Sequence, residues 1–205
     1  FEREMEYIVL VQGGALCYSK PVISIILADL KKLNPAIFPT VPRVFDALRE
    51  AIIKNLKKSN KFMNLYLDFF LKVAVIHKRM ERKMFAQNAC YTTYKQPLWW
   101  CLFLIPWALM WPLYGLGYLF VYRKIRAAFG TNYISGITGG GAFPQQLDEF
   151  YWSTGVKLIE AYGLTETAPM VAMRPFACPV FRTIGTSIRN VQVRIVDPNN
   201  GQVLG

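Results

Sequence analysis

The stretch that most limits what this chain can become is Ile134–Thr167, which reads ISGITGGGAFPQQLDEFYWSTGVKLIEAYGLTET. Asn132–Thr138 is short and rich in residues that favour strands. Gly139, Gly140 and Gly141 interrupt it, and consecutive glycines suit positive φ and close approach of backbone to a ligand. Pro144 is placed to open a helix and Gly155 to close one. Leu147, Phe150 and Tyr151 fall on one face at helical spacing, and Val156–Ala161 reads as a second strand.

A strand–helix–strand unit of this length predicts two parallel strands joined by a right-handed crossover. Both strands then finish at one edge of the sheet. The glycine turn follows the first, and Tyr162-Gly163-Leu164-Thr165-Glu166-Thr167 follows the second. Open α/β sheets bind ligands along that edge. The groups on offer are backbone N–H groups, the Tyr162 ring, the Thr165 and Thr167 hydroxyls and the Glu166 carboxylate. Hydroxyls and N–H groups suit phosphate, one carboxylate beside phosphates suits Mg²⁺, and a ring can stack on a base. The plainer alternatives are a tight strand–helix turn for the glycines and a solvated loop acid for Glu166.

The rest of the first half repeats the alternation. Glu2–Val11 has helical character and runs into Gly13-Gly14, and Ala15–Tyr18 reads as a short buried strand. Val22–Leu33 is an amphipathic helix with Ile25, Ile26, Leu30 and Leu33 inward. Ala36–Thr40 is the next strand. Arg43–Lys57 is a helix with Val44, Leu48, Ile52 and Leu56 on its apolar face. Such a succession predicts an α/β fold, a layered sheet with parallel βαβ units flanked by helices.

Asn60–Arg126 has a different texture. Phe62, Leu65, Tyr66, Phe69, Phe70, Val73, Ile76, Met80 and Met84 form an apolar stripe. Lys61, Lys72, Lys78, Arg79, Arg82 and Lys83 lie mostly off it. That pattern fits a basic amphipathic helix on an anionic membrane, and equally a helix packed on its own domain. Gln96–Tyr122 then runs 27 residues without a charge. Pro97, Pro106, Pro112, Gly115 and Gly117 interrupt it, and Trp99, Trp100, Trp107 and Trp111 are spread along it. A segment bent at Pro106 and Pro112 in the membrane interface, a buried hairpin and a true span are the three readings. Tyr122–Phe129 is a short basic helix. Past Thr167, Ala168–Ala177 is loop-like and Arg182–Ile188 turn-rich. Val191–Asp197 alternates as a half-exposed strand, Asp197–Gly201 is a turn, and Gln202–Leu204 begins a returning strand.

Charge and cysteine content narrow the function classes. The net charge is +11 over 205 residues, with basic clusters at Lys54–Lys61, Lys78–Lys83 and Arg123–Arg126. Solvated helix faces, anionic lipid and nucleic acid all fit such clusters. No nucleic-acid-binding motif accompanies them, so no nucleic-acid partner is expected. Cys17, Cys90, Cys101 and Cys178 form no CxxC pair and read as reduced cytosolic thiols. With His77 as the single histidine, a histidine-based triad or metal cluster is not expected.

YGLTET at Tyr162–Thr167, GGGAF at Gly139–Phe143 and RTIGTSIRNVQVRIVD at Arg182–Asp197 together resemble the adenylate-forming (acyl-activating) superfamily, and within it the long-chain fatty-acyl-CoA synthetases. FER at the start, YSK at Tyr18–Lys20 and LKKLNPAIFPTVPRVFDAL at Leu30–Leu48 extend the resemblance over nearly the whole chain. It implies that residues 1–205 are a middle part of the family's large AMP-binding domain, with 60–126 a hydrophobic and basic helical insertion. It implies ATP-dependent activation of a long-chain fatty acid to an acyl-adenylate and transfer to coenzyme A. ATP, Mg²⁺, coenzyme A and a fatty acid are the expected substrates and cofactors. By motif position, Thr165 would contact the α-phosphate and Glu166 would hold Mg²⁺. Gly139, Gly140, Gly141, Ala142, Tyr162, Gly163 and Leu164 would line the nucleotide pocket.

The family's phosphate loop, ribose-binding aspartate and adenylation lysine are not matched within these residues, so the piece alone is expected to be inactive, and the open strand edges and unburied apolar faces of an incomplete sheet are expected to make it poorly soluble. A peripheral seat on the cytoplasmic face of a membrane, through 60–126, is the expected location. The other readings are a fatty-acyl-AMP ligase or another acyl-adenylating enzyme, and a non-enzymatic lipid- or nucleic-acid-binding module at a membrane.

Overall fold

The computed structural model describes residues 2–59, 61–87, 96–177 and 179–203. Phe1, Cys90, Lys95, Cys178 and Leu204, and the side chains of Lys61, Phe62, Leu65, Pro97 and Trp99, lie outside that description.

A five-stranded sheet organises the molecule, in the order β1 (Ile37–Thr40), β2 (Ser135–Thr138), β3 (Leu158–Gly163), β4 (Met170–Met173), β5 (Thr186–Ser187). The first three strands are mutually parallel, and β4 and β5 add antiparallel. The α/β architecture with parallel βαβ units is therefore present, carrying an antiparallel edge. Helix α1 (Glu2–Val11) places Met5 against Ile137 and Ala161 on one face. The main core lies on the other face. There α3 (Pro42–Ser59) supplies Phe45, Leu48 and Ile52, α7 (Gln145–Ser153) supplies Leu147, Phe150 and Tyr151, and β3 contributes Leu158. Phe45 is its hub, with Phe38, Phe143 and Tyr151 rings at 5.9, 6.1 and 5.7 Å, edge-on. The buried Tyr151 hydroxyl donates to the Phe45 carbonyl at 2.6 Å, locking α7 to α3.

Helix α2 (Ile23–Leu33) buries Ile26 and Leu30, while Ile25 and Leu33 are exposed, so its inward face is narrower than the apolar spacing indicates. Pro144 caps α7, and Gly155 at φ +85° follows it, as the sequence predicts. Three strand assignments need correction. Ala15–Tyr18 forms no strand, and Ala15, Cys17 and Tyr18 are exposed. Val191–Asp197 forms no strand, only a bridge between Val196 and Val203, and Val193 and Ile195 are exposed. Apolar alternation makes a strand only where a neighbouring strand takes up its N–H and C=O groups. Conversely, Ala168–Ala177 is no loop, because β4 within it pairs with β3. The turn at Asp197 is present, with Gly201 N–H donating to the Asp197 carbonyl at 2.8 Å.

The described residues between 61 and 127 are almost wholly helical. Helix α4 (Lys61–Met84) buries Phe70, Val73, Met80 and Met84, while Tyr66, Phe69 and Ile76 face solvent. The apolar stripe is thus divided, and the buried side also takes in His77 and Arg82. Packed on α4 is one continuous rod: α5 (Gln96–Gly117), a π-helical turn Tyr118–Tyr122 and α6 (Arg123–Ala127). The hairpin reading is overturned, since the helix passes through Pro106 and Pro112 without reversing. The π turn carries one extra residue, which brings Val121 and Tyr122 into the core. Tyr122 then donates to the Phe70 carbonyl at 2.6 Å. A Cβ at Gly117 would occupy the space of the Tyr122 ring.

Candidate functional site

The parallel register decides what meets at the sheet edge. Thr138 pairs with Thr40 on one side and Glu160 on the other. The glycine turn therefore leaves β2 level with the end of β1 and the middle of β3. Gly140, at φ +76°, is the one residue of Gly139–Gly141 with a positive φ. Next to Gly140 and Gly141, ideal Cβ positions would lie 3.9 Å from Val41 and Pro42, so the turn sits beside the start of α3 with room above it. Gly139 is buried, whereas Gly140, Gly141 and Ala142 are exposed.

Strand β3 runs on past its pairing with β2 and reverses through a 3₁₀ turn, Thr165–Thr167, into β4. YGLTET is thus the tip of a hairpin. Gly163 is required there because any Cβ would overlap the Pro169 carbonyl, at a bulge between Tyr162 and Gly163. The Thr167 hydroxyl is engaged within the loop, accepting from Leu164 N–H at 3.0 Å and lying 2.9 Å from the Leu164 carbonyl. It fastens the loop internally in this structure. Tyr162, Leu164, Thr165 and Glu166 are exposed and make no side-chain hydrogen bond or ion pair among the described residues. Their side chains are free for a ligand. The sequence-predicted set therefore lies in two loops that leave the same edge of the sheet.

Among the described residues no three His, Cys, Asp or Glu side chains gather as a metal cage. Mg²⁺ is commonly held by one or two carboxylates together with substrate phosphates. A lone, uncommitted Glu166 on a loop tip fits that use.

Sequence reasoning missed the groups beneath the two loops. Strand alternation turns Ile137 and Ala161 toward α1, so Thr138 and Glu160 face the opposite layer. Arg174, just past β4, continues the row: its N–H donates to the Glu160 carbonyl at 2.9 Å. Its guanidinium donates to both oxygens of Asp148 on α7, at 3.0 and 2.9 Å, and to Glu160 Oε2 at 2.8 Å. The other Glu160 oxygen accepts from the N–H of Phe143, the residue that ends GGGAF, at 3.4 Å. Arg174 is 1% exposed and Asp148 5%. Burial is the larger pull on Asp148 and leaves its carboxyl above the ordinary aspartate value, against the opposing pull of Arg174. Thr138 Oγ1 and Arg174 Nε are buried without a hydrogen-bond partner.

A cavity of about 220 Å³ adjoins this row, lined by Phe143, Asp148, Glu160, Arg174 and, from α4, Arg82. Arg82 lies 3.5 Å above the Phe181 ring, and burial pulls its guanidinium down to about 10. Arg79 pairs with Glu149 on α7 at 2.7 Å, so α4 is fastened to the helix behind the glycine turn. The available signal was the run of buried-face acids Asp148 and Glu149 on a helix otherwise facing the core; their partners are too distant in sequence to be read from it.

The sequence profile described as AMP-binding enzyme matches residues 1–205. The chain is similar to the long-chain-fatty-acid--[acyl-carrier-protein] ligase AEE15, chloroplastic, of Arabidopsis thaliana, at 33% identity over all of this chain and 28% of that protein. It is also similar to the long-chain-fatty-acid--CoA ligase FadD15 of Mycobacterium bovis, at 37% identity over 41% of this chain and 14% of that protein. The crystal structure of a long-chain-fatty-acid-CoA ligase (FadD1) from Archaeoglobus fulgidus aligns with 90% of this chain and 25% of its own, with a TM-score of 0.45 and 13% identity. The chain spans about 28% of the length of the Arabidopsis relative.

Proposed function

Because this chain belongs to the AMP-binding enzyme family, we propose that the protein carrying it activates a long-chain fatty acid with ATP and passes the acyl group to a thiol. A fatty carboxylate oxygen attacks the α-phosphorus of ATP. The bond from that phosphorus to the bridging oxygen breaks, and pyrophosphate leaves. The sulfur of the acceptor then attacks the acyl carbonyl carbon, and AMP departs. Little covalent chemistry falls to the protein in such a sequence; its residues position the reactants and stabilise charge on phosphate.

The observation that carries this reading is that the glycine turn and the Tyr162–Thr167 hairpin leave the same edge of the sheet, as the parallel Thr138–Glu160 register requires. In it, Tyr162 lies against adenine, Thr165 contacts the α-phosphate, and Gly139–Gly141 with Ala142 line the adenine and acyl-carbonyl side. Glu166 would hold Mg²⁺, which would offset phosphate charge. The test is fatty-acid-dependent ATP–pyrophosphate exchange by the natural protein that carries this chain. Glu166→Ala is expected to lower exchange by about 100-fold or more while leaving the melting temperature unchanged, because Glu166 is exposed and unpaired. Near-normal exchange in that variant would refute the role.

The acceptor is coenzyme A in this reading. Acyl carrier protein is a second, because the relative at 33% identity over the full chain bears that name. Both present a thiol, so parallel assays with each acceptor separate them. A peripheral seat on the cytoplasmic face of a membrane belongs to the same proposal. It is supported by the stretch Trp100–Ala127, long and apolar enough to cross a membrane, of which one apolar window is only 11% buried.

A further inference from the structure

Two loops that grip one ligand must be held at a fixed spacing, and nothing in either loop does this. The glycine turn makes no side-chain bond of its own, and the hairpin tip is fastened internally through Thr167. Between them stands Glu160. Its backbone lies in β3, three residues ahead of Gly163. One carboxylate oxygen accepts from Phe143 N–H, at the exit of the glycine turn. The other accepts from Arg174, which leaves β4, the returning arm of the hairpin. Arg174 is in turn clamped by Asp148 on α7, the helix that follows the glycine turn. The Phe143 ring packs on Phe45 at the centre of the core, so the N–H it offers is fixed in direction.

We propose that Glu160 and Arg174 form a positioning clamp that sets the distance between the glycine turn and the Tyr162–Thr167 hairpin, and thereby the fit of the nucleotide. The clamp is distinct from the residues that touch ligand. It rests on the reading of that edge as a nucleotide site. The carboxylate is needed for its two separate acceptor oxygens, since one alone cannot serve both the turn and the hairpin arm. The guanidinium is needed for its fork, which reaches Asp148 and Glu160 from one carbon; a lysine offers no such geometry.

The experiment uses the natural protein that carries this chain, with Glu160→Gln, Arg174→Lys and, as control, Glu149→Gln. Glu149 lines the same cavity but bonds Arg79 and Gln145 rather than the turn. ATP binding is measured by calorimetry well below each variant's melting temperature, and amide hydrogen exchange is read at Phe143. Glu160→Gln is expected to weaken ATP binding and speed exchange at Phe143 by about tenfold each. Glu149→Gln is expected to change neither, whatever it does to the melting temperature. Should Glu160→Gln fail to fold, Arg174→Lys reads the same link, because its backbone bond to Glu160 is retained. Unchanged ATP binding in Glu160→Gln or Arg174→Lys overturns the clamp, and so does an equal loss in Glu149→Gln. A parent protein that binds no ATP while Phe143 still responds would overturn the nucleotide reading, and the clamp's role with it.

Discussion

Arg174 and Glu160 are bonded twice, once through their backbones at 2.9 Å and once through guanidinium and carboxylate at 2.8 Å. The pair joins the end of β4 to the middle of β3, and Asp148 completes a buried three-member ion cluster. Removing the guanidinium leaves the buried Asp148 carboxyl and the partly buried Glu160 carboxyl without the cation they share. Arg174→Met is therefore expected to cost about 3–5 kcal/mol of unfolding free energy, read by urea denaturation. A smaller loss, below about 1 kcal/mol, would mean that water enters and replaces the guanidinium.

Two glycines of the site differ in why they are glycine. At Gly163 a Cβ would collide with the Pro169 carbonyl, so Gly163→Ala must push the hairpin apart. At Gly140 there is space, and only the φ of +76° resists a side chain. Gly163→Ala is expected to destabilise by about 1–3 kcal/mol and Gly140→Ala by about 1 kcal/mol. Chemical denaturation of the two variants side by side checks the order, which is the informative part.

His77 on α4 stacks against two rings of α5, 4.4 Å from Tyr114 and 5.5 Å from Trp107, and both its ring nitrogens are buried without a partner. Burial, helped by Lys78 and opposed by Glu81, lowers its affinity for a proton below the ordinary value of 6.5. The unfolded chain then binds the proton at higher pH than the folded one. The stability owed to neutral His77 is present above pH 6.5 and lost as pH falls from there toward the lowered folded value. His77→Phe keeps the stack and is expected to flatten that part of the pH profile. Urea midpoints for both proteins at about pH 7.5 and 5.5, on either side of the ordinary histidine value, read the difference; equal slopes would contradict it.

The outer face of α5 is apolar and uncovered, with Ile105 68% and Leu109 75% exposed. Exposed Arg123, Lys124 and Arg126 extend the same rod with positive charge. A helix apolar all round but covered on one stripe fits a lipid surface. Replacing Ile105 and Leu109 together by Glu is expected to lower sedimentation with anionic vesicles by about tenfold or more. Equal binding by both proteins would remove α5 as the contact.

The local signals in the sequence were sufficient for the helices and for the strand–turn–helix–strand unit. Pro144, Gly155 and the Leu147, Phe150, Tyr151 spacing act within a turn or two of chain, and the structure places each as that spacing requires. The motif residues at the sheet edge were legible for the same reason, since a parallel register brings two strand ends together wherever the crossover helix is short. Tertiary structure decided what depends on partners. Val191–Asp197 alternates and finds no neighbouring strand, whereas Met170–Met173, with little alternation, is drawn into the sheet by the reversal at Thr165–Thr167. Asp148 and Arg174 lie 26 residues apart, and Arg79 and Glu149 lie 70 apart. No periodicity announces such pairs, because a buried charge is stabilised by whatever opposite charge the fold delivers to it, and that delivery is a property of the whole sheet.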